Sequence, residues 1–135
     1  ARNVDGSARR LAASSVDRLE DATISFQSVQ QWDGAGQLPA LIALTRRVWR
    51  DRAFGAVWPY MLVAEGQIEM VAEFDVAEYD IAAAVPIVLE AGGMFTAFDG
   101  VDTLSGRSSL ATNGILHQDF LDFLGEDRPG TIGSR

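Results

Sequence analysis

The sequence predicts an α/β fold in which a mixed sheet is layered with helices, and three observations carry that prediction. Short stretches that alternate apolar and polar residues recur along the chain, and segments with apolar residues at helical spacing lie between them. Glycines punctuate the ends of these segments, at Gly55, Gly66 and Gly92-Gly93. With 135 residues, 47% apolar and 22% charged, the chain is one domain's worth and can bury a core. A compact domain of that size covers about two-thirds of the surface its unfolded chain exposes.

Taken in order, residues 9–14 and 22–28 alternate as half-buried strands, the first two of the sheet. Residues 15–21 join them and can hold one helical turn capped by Ser15. Trp32-Asp-Gly-Ala-Gly36 is turn chemistry. Leu38, Leu41, Ile42, Leu44, Thr45, Val48 and Trp49 then recur at helical spacing behind Pro39, a residue tolerated in a first turn. Residues 51–54 form a short strand ended by Gly55, and 56–65 a helix with Pro59 in its first turn, closed by Gly66. Residues 67–73 read as a strand and 77–91 as a buried helix, whose interior Pro86 should kink it or remove one hydrogen bond. Gly92-Gly93 stops that helix. Residues 94–98 and 109–112 alternate as two more strands, separated by a loop over 100–106, and 117–124 closes with a short helix. Residues 1–125 thus make one α/β domain, and 126–135, rich in Gly, Pro and charge, a flexible tail.

Composition excludes several function classes. Nineteen acidic against eleven basic side chains give a net charge of −8, which repels a phosphate backbone, so nucleic-acid binding is not expected. The basic cluster Arg46, Arg47, Arg50 and Arg52 reads as the solvated end of a helix, from which a single arginine could still serve a substrate. Without cysteine there is no disulfide framework, thiolate metal site or cysteine nucleophile, and a reducing cytoplasm fits. The longest apolar run, residues 81–89, is too short to span a bilayer, and no membrane partner is expected.

The acidic residues between 69 and 90 are the candidates for chemistry. Asp80 stands where a strand-like run gives way to an apolar helix. It can be a helix-start acid favoured by the helix dipole, or a hard oxygen ligand for Mg²⁺, which one carboxylate cannot hold alone. Glu73 ends a strand, either as a solvated strand end or at the place where open α/β sheets put their ligands. His117, the only histidine, reads as a cap or surface residue rather than a catalyst. Met61, Met70 and Met94 read as core fillers.

One ordered set of short motifs goes further: Gly55-Ala56, then Leu62-Val-Ala-Glu-Gly66, Glu73, Tyr79-Asp80-Ile-Ala-Ala83 and Glu90-Ala-Gly-Gly93. In that order and spacing, over about residues 7–125, the chain resembles the C-terminal half of the inositol monophosphatase superfamily, Mg²⁺-dependent phosphomonoesterases with a sugar-phosphatase-like αβαβα sandwich. Arg9-Arg-Leu11, Ser25-Phe-Gln-Ser28, residues 62–66 and Ala111-Thr-Asn-Gly-Ile-Leu-His117 look most like its histidinol-phosphate phosphatases.

The resemblance implies Asp80 as a metal ligand, Glu73 and Arg52 as substrate contacts, and Gly55 and Ala56 as backbone near the substrate. It implies no further catalytic residue in this half. The superfamily's earlier Asp-Pro-Ile/Leu-Asp-Gly-Thr motif, which carries most metal ligands, is not in these 135 residues, so the expectation is a C-terminal fragment completed by a missing N-terminal half or partner chain. The complete protein is expected to be a homodimer acting on a small phosphomonoester, L-histidinol phosphate ahead of an inositol, sugar or nucleotide phosphate; the alternative from a different class is a non-catalytic domain that completes a partner chain. Val57 and Trp58 replace the small residues usual beside the glycine, which speaks against an inositol-like polyol because a ring of hydroxyls needs polar partners. Tyr79 stands in for the usual Trp as another aromatic amphipath.

Overall fold

The computed structural model of the chain describes residues 11–55, 57–74, 82–97 and 108–125. Five strands form one mixed sheet in the order β2-β1-β3-β5-β4. Strand β1 (Thr23–Ser25) runs parallel to β2 (Arg50–Arg52) on one side and to β3 (Met70–Phe74) on the other. Strand β5 (Ser108–Thr112) is antiparallel to β3, and β4 (Met94–Thr96) is antiparallel to β5.

The two-residue period of β3 builds both halves of the core. Met70, Ala72 and Phe74, with Ile24 and Leu110, face a cluster containing Trp32, Leu41, Leu44, Leu116, Phe120 and Leu124. These come from helices α1 (Val29–Gly34), α2 (Leu38–Arg47) and α5 (His117–Leu124), with Leu116 as the N-cap of α5. Val71 and Ala111, with Phe95, face Tyr60, Val63, Ala84 and Val88 from α3 (Trp58–Ala64) and α4 (Ala84–Glu90). Every residue of β3 is therefore buried, and Glu73 shares the α3 and α4 side with Val71.

Several boundaries differ from the sequence reading, each for a local reason. Leu11–Ser14 is not a strand, and the Ala13 amide donates instead to the Ala91 carbonyl at the end of α4, 2.8 Å away. The turn after it is a 3₁₀ turn over Leu19–Asp21 entered from Arg18, so Ser15 caps nothing there. The strand expected over 22–28 stops at Ser25, because Gln27 takes φ +67° and Ser28 begins a helix. The Ser28 hydroxyl accepts the Gln31 amide at 3.2 Å, so α1 absorbs Trp32 and Asp33, which the sequence predicts as a turn. Only Ala35 and Gly36 turn, with Gly36 at φ +74°. Helix α2 has its proline in the first turn as expected but ends at Arg47, where Val48 becomes extended. Pro86 is the third residue of α4, and its missing N–H falls among first-turn groups that have no helical partner, so it neither kinks the helix nor removes a bond. Gly92, at φ +96°, ends α4. Met94 is exposed rather than a core filler.

His117 is the largest correction in the described part of the chain. It is buried, neither cap nor surface residue, between the Thr96 and Thr112 hydroxyls at 2.8 and 2.9 Å. The Thr96 hydroxyl spends its hydrogen on the Ala97 carbonyl. Its oxygen must then accept from Nε2–H of His117, leaving Nδ1 to accept from Thr112, an assignment made from the network. Burial alone pushes this histidine below its ordinary pKa. The ring is a neutral pin joining β4, β5 and α5.

Candidate active site at the carboxyl ends of the parallel strands

Strand β1 passes the chain to α1 and α2 on one face of the sheet, whereas β2 passes it to α3 on the other. Connections that part in this way open a crevice at the carboxyl ends of the strands, where α/β sheets place ligands. The residues at that rim are Ser25, Phe26 and Gln27 after β1, Arg52 to Gly55 after β2, and Glu73 at the end of β3.

The rim is tied together by hydrogen bonds. The Ser25 hydroxyl accepts from the Phe54 amide at 3.2 Å and donates to the Phe54 carbonyl at 3.3 Å, which fixes the loop leading to Gly55. The Phe26 amide donates to the Arg52 carbonyl at 3.0 Å, and the Trp32 indole N–H donates to the Phe26 carbonyl at 2.9 Å. Gln31 Oε1 accepts from the Phe74 amide at 3.3 Å, so α1 also holds the end of β3. Gly55 is exposed, and a side chain there would meet only Gln27 Oε1, 3.7 Å from the Cβ position. A substrate can therefore approach this backbone closely.

Of the basic cluster, Arg47 pairs with Glu20 at 2.9 Å and Arg50 lies 3.9 Å over the Trp49 ring. Arg52 is at the rim, exposed, and donates to the neighbouring Asp51 carbonyl at 2.8 Å. Ser25 pairs with Arg52 on one side and Val71 on the other. Glu73 thus lies two residues, about 7 Å, farther along β3 than the point level with Arg52.

Glu73 is not a solvated strand end. It is 6% exposed, and its Oε2 accepts the hydrogen of the Tyr60 hydroxyl. Ser109, directly opposite Glu73 in the β3–β5 register, has its hydroxyl 2.6 Å from that of Tyr60. Burial first, and then the negative charge of Glu73, push the Tyr60 hydroxyl far above its ordinary pKa, so it stays protonated. The sequence reading singled out neither Tyr60 nor Ser109. The available signal was a tyrosine on an otherwise apolar helix face, since a buried hydroxyl needs a partner.

The structure brings Arg52, Gly55 and Glu73 to one rim. Ala56 and Asp80 lie outside the described residues, as do Tyr79, residues 9–10 and the segment 126–135. Among the described residues no group of three His, Asp or Glu side chains could hold a metal ion. No described helix is long and apolar enough to cross a membrane. A cationic guanidinium, an open glycine backbone and a buried carboxylate together suit a small molecule that carries both an anionic and a cationic group.

The description of the inositol monophosphatase family matches residues 9–125. A histidinol-phosphatase of Streptomyces coelicolor is 43% identical over 120 residues, covering 89% of this chain and 45% of that protein. A histidinol-phosphatase of Mycobacterium tuberculosis is 45% identical over 120 residues, covering 88% of this chain and 46% of that protein. The chain thus spans about half the length of the curated relatives it matches. Among solved structures, the extragenic suppressor protein suhB of Bartonella henselae superposes with a TM-score of 0.81 at 25% identity, over 91% of this chain and 49% of that one. The mixed sheet layered with helices is the fold of that structure.

Proposed function

The chain belongs to the inositol monophosphatase family, and from that premise we propose that the whole protein is a Mg²⁺-dependent phosphomonoesterase that hydrolyses L-histidinol phosphate. The observation that carries the substrate assignment is the buried Glu73 carboxylate at the rim, held by a hydroxyl donor. An ammonium-bearing substrate can pair with such a carboxylate, whereas a neutral polyol gains little from it. The two histidinol-phosphatases at 43% and 45% identity support the same assignment. Exposed Val57 and Trp58 beside Gly55 offer an apolar wall to an imidazole and few polar partners to a ring of hydroxyls.

In this reading Glu73 binds the ammonium group, Arg52 neutralises substrate negative charge, and Gly55 with Ala56 lets the substrate lie against the backbone. Asp80 gives the metal one carboxylate, and the rest of its shell comes from the length of the relatives that this chain does not span, in the same polypeptide or a partner chain. Mg²⁺ bound there would supply positive charge against the charge that develops on the phosphoryl group and leaving oxygen. The complete protein is proposed to be a cytoplasmic homodimer.

The test is steady-state phosphate release by the whole protein with Mg²⁺. We expect kcat/KM for L-histidinol phosphate to exceed that for inositol 1-phosphate by about a hundredfold or more, the range reached when a site pairs a buried charge with one substrate only. Equal or reversed preference overturns the substrate assignment, and no release from any phosphomonoester overturns the enzyme assignment.

A further inference from the structure

The Tyr60 side chain is fully buried, and its ring stacks on Phe95 with centroids 5.4 Å apart and planes 10° from parallel. Its hydroxyl leaves that apolar cluster and meets two polar groups, Glu73 Oε2 and Ser109 Oγ. A phenol has one hydrogen, and an ionised carboxylate can only accept. With the Tyr60 hydrogen given to Glu73, the Ser109 hydroxyl must donate to the Tyr60 oxygen. Donation therefore runs in one direction, from Ser109 to Tyr60 to Glu73.

All three groups are carried on rigid elements. Ser109 and Glu73 face each other across β5 and β3, and Tyr60 reaches both from α3. Two stiff χ angles and a stacked ring leave the Tyr60 hydroxyl little freedom, so its hydrogen bond holds Glu73 Oε2 in one place and narrows the orientations open to the carboxylate. An ion pair with a substrate ammonium depends on that orientation as much as on the charge.

We propose that Tyr60, aligned by Ser109, is the positioning residue that sets Glu73 to receive a cationic group on the substrate. Tyr60 acts only through Glu73. The inference rests on the assignment of Glu73 as a substrate contact, and it adds the device that makes this contact selective.

The experiment measures kcat and KM of the whole protein on L-histidinol phosphate and on the analogue that lacks its amine, for wild type, Tyr60→Phe, Ser109→Ala, Glu73→Gln and the double variant Tyr60→Phe/Glu73→Gln. Tyr60→Phe keeps the ring and its stacking. It should raise KM for the amine-bearing substrate about 10- to 100-fold, as expected on losing a hydrogen bond to a charged group, and leave the analogue nearly unchanged. Ser109→Ala should shift KM the same way by less, and it decides the matter should Tyr60→Phe not fold. The double variant should be no worse than Glu73→Gln, because the two residues act in series. Equal loss on both substrates in Tyr60→Phe, or no loss while Glu73→Gln erases the preference, overturns the positioning role and leaves Glu73 as a contact. A preference unchanged in Glu73→Gln overturns the Glu73 contact itself.

Discussion

Replacing each half of Gly92-Gly93 with alanine separates two reasons for a glycine that a sequence cannot tell apart. Gly92 sits at φ +96° with nothing within 4 Å of a would-be Cβ, so Gly92→Ala meets only the left-handed backbone penalty, about 1–2 kcal/mol. A Cβ at Gly93 would stand 2.5 Å from the Thr112 carbonyl oxygen, 2.8 Å from Val88 Cγ1 and 3.1 Å from the Val88 carbonyl oxygen. Two of these are backbone atoms, and carbon contacts become favourable only near 3.5 Å. Met94, the next residue, pairs with Thr112, so relief requires β4 to move away from β5 or α4 to move off the sheet. Gly93→Ala should therefore cost about 3 kcal/mol, the upper end of overpacking penalties. Urea unfolding of the whole protein, followed by tryptophan fluorescence, should show a clearly larger drop in midpoint for Gly93→Ala than for Gly92→Ala. Equal losses, or a larger loss for Gly92→Ala, would refute the claim that close packing at the β4–β5 edge sets the second glycine.

Asp80→Asn should weaken Mg²⁺ binding by calorimetry and lower turnover by about a hundredfold or more, with thermal stability near wild type, because the amide keeps volume and loses charge. Wild-type Mg²⁺ affinity in that variant returns Asp80 to the role of a helix-start acid. Arg52→Ala should leave unfolding stability within about 0.5 kcal/mol of wild type, since the Arg52 side chain is exposed and its guanidinium donates to the neighbouring Asp51 carbonyl, and should raise KM for phosphomonoesters. An unchanged KM removes Arg52 from the site. Stability should fall with pH below 6.5, the ordinary histidine value, because there the unfolded chain takes up a proton that buried, neutral His117 refuses. In His117→Gln that component of the slope should disappear from a series of denaturation curves, and a slope identical to wild type would show that another group titrates.

Much of the fold was legible because periodicity and glycine placement are local signals. Helix α2, helix α3 with Pro59 in its first turn, and the closing glycines Gly66 and Gly92 fall where the sequence puts them. Helix α1 was missed because Trp32-Asp-Gly-Ala-Gly36 reads as a turn, although Ser28-Val-Gln-Gln31 has the capping-box spacing that announces a helix start. Over residues 11–14 the expected first strand is absent because an alternating pattern shows that a segment is half-buried, not what its amides bond to, and Ala13 bonds to Ala91.

The ordered motifs single out Gly55 and Glu73, with Arg52 just ahead of them, and the carboxyl ends of β1 to β3 bring these three positions to one rim. The Tyr60 and Ser109 partners of Glu73 were not legible, since they lie 13 and 36 positions away along the chain and meet it only through the α3–β3 packing and the β3–β5 register. The environment of His117 was hidden for the same reason: one of its threonine partners, Thr96, stands 21 residues away on another strand.

The carboxyl ends of β1, β2 and β3 are the surface expected to receive the substrate. Titration of the isotope-labelled whole protein with L-histidinol phosphate in the presence of Mg²⁺, followed by NMR, should move the resonances of Gln27, Arg52, Gly55 and Glu73 and leave those at the opposite ends of the same strands, Ala22, Trp49 and Ile68, in place. Shifts confined to those opposite ends, or to the cleft lined by Asp17, Arg18, Glu20, Arg47 and Asp119, would contradict that expectation.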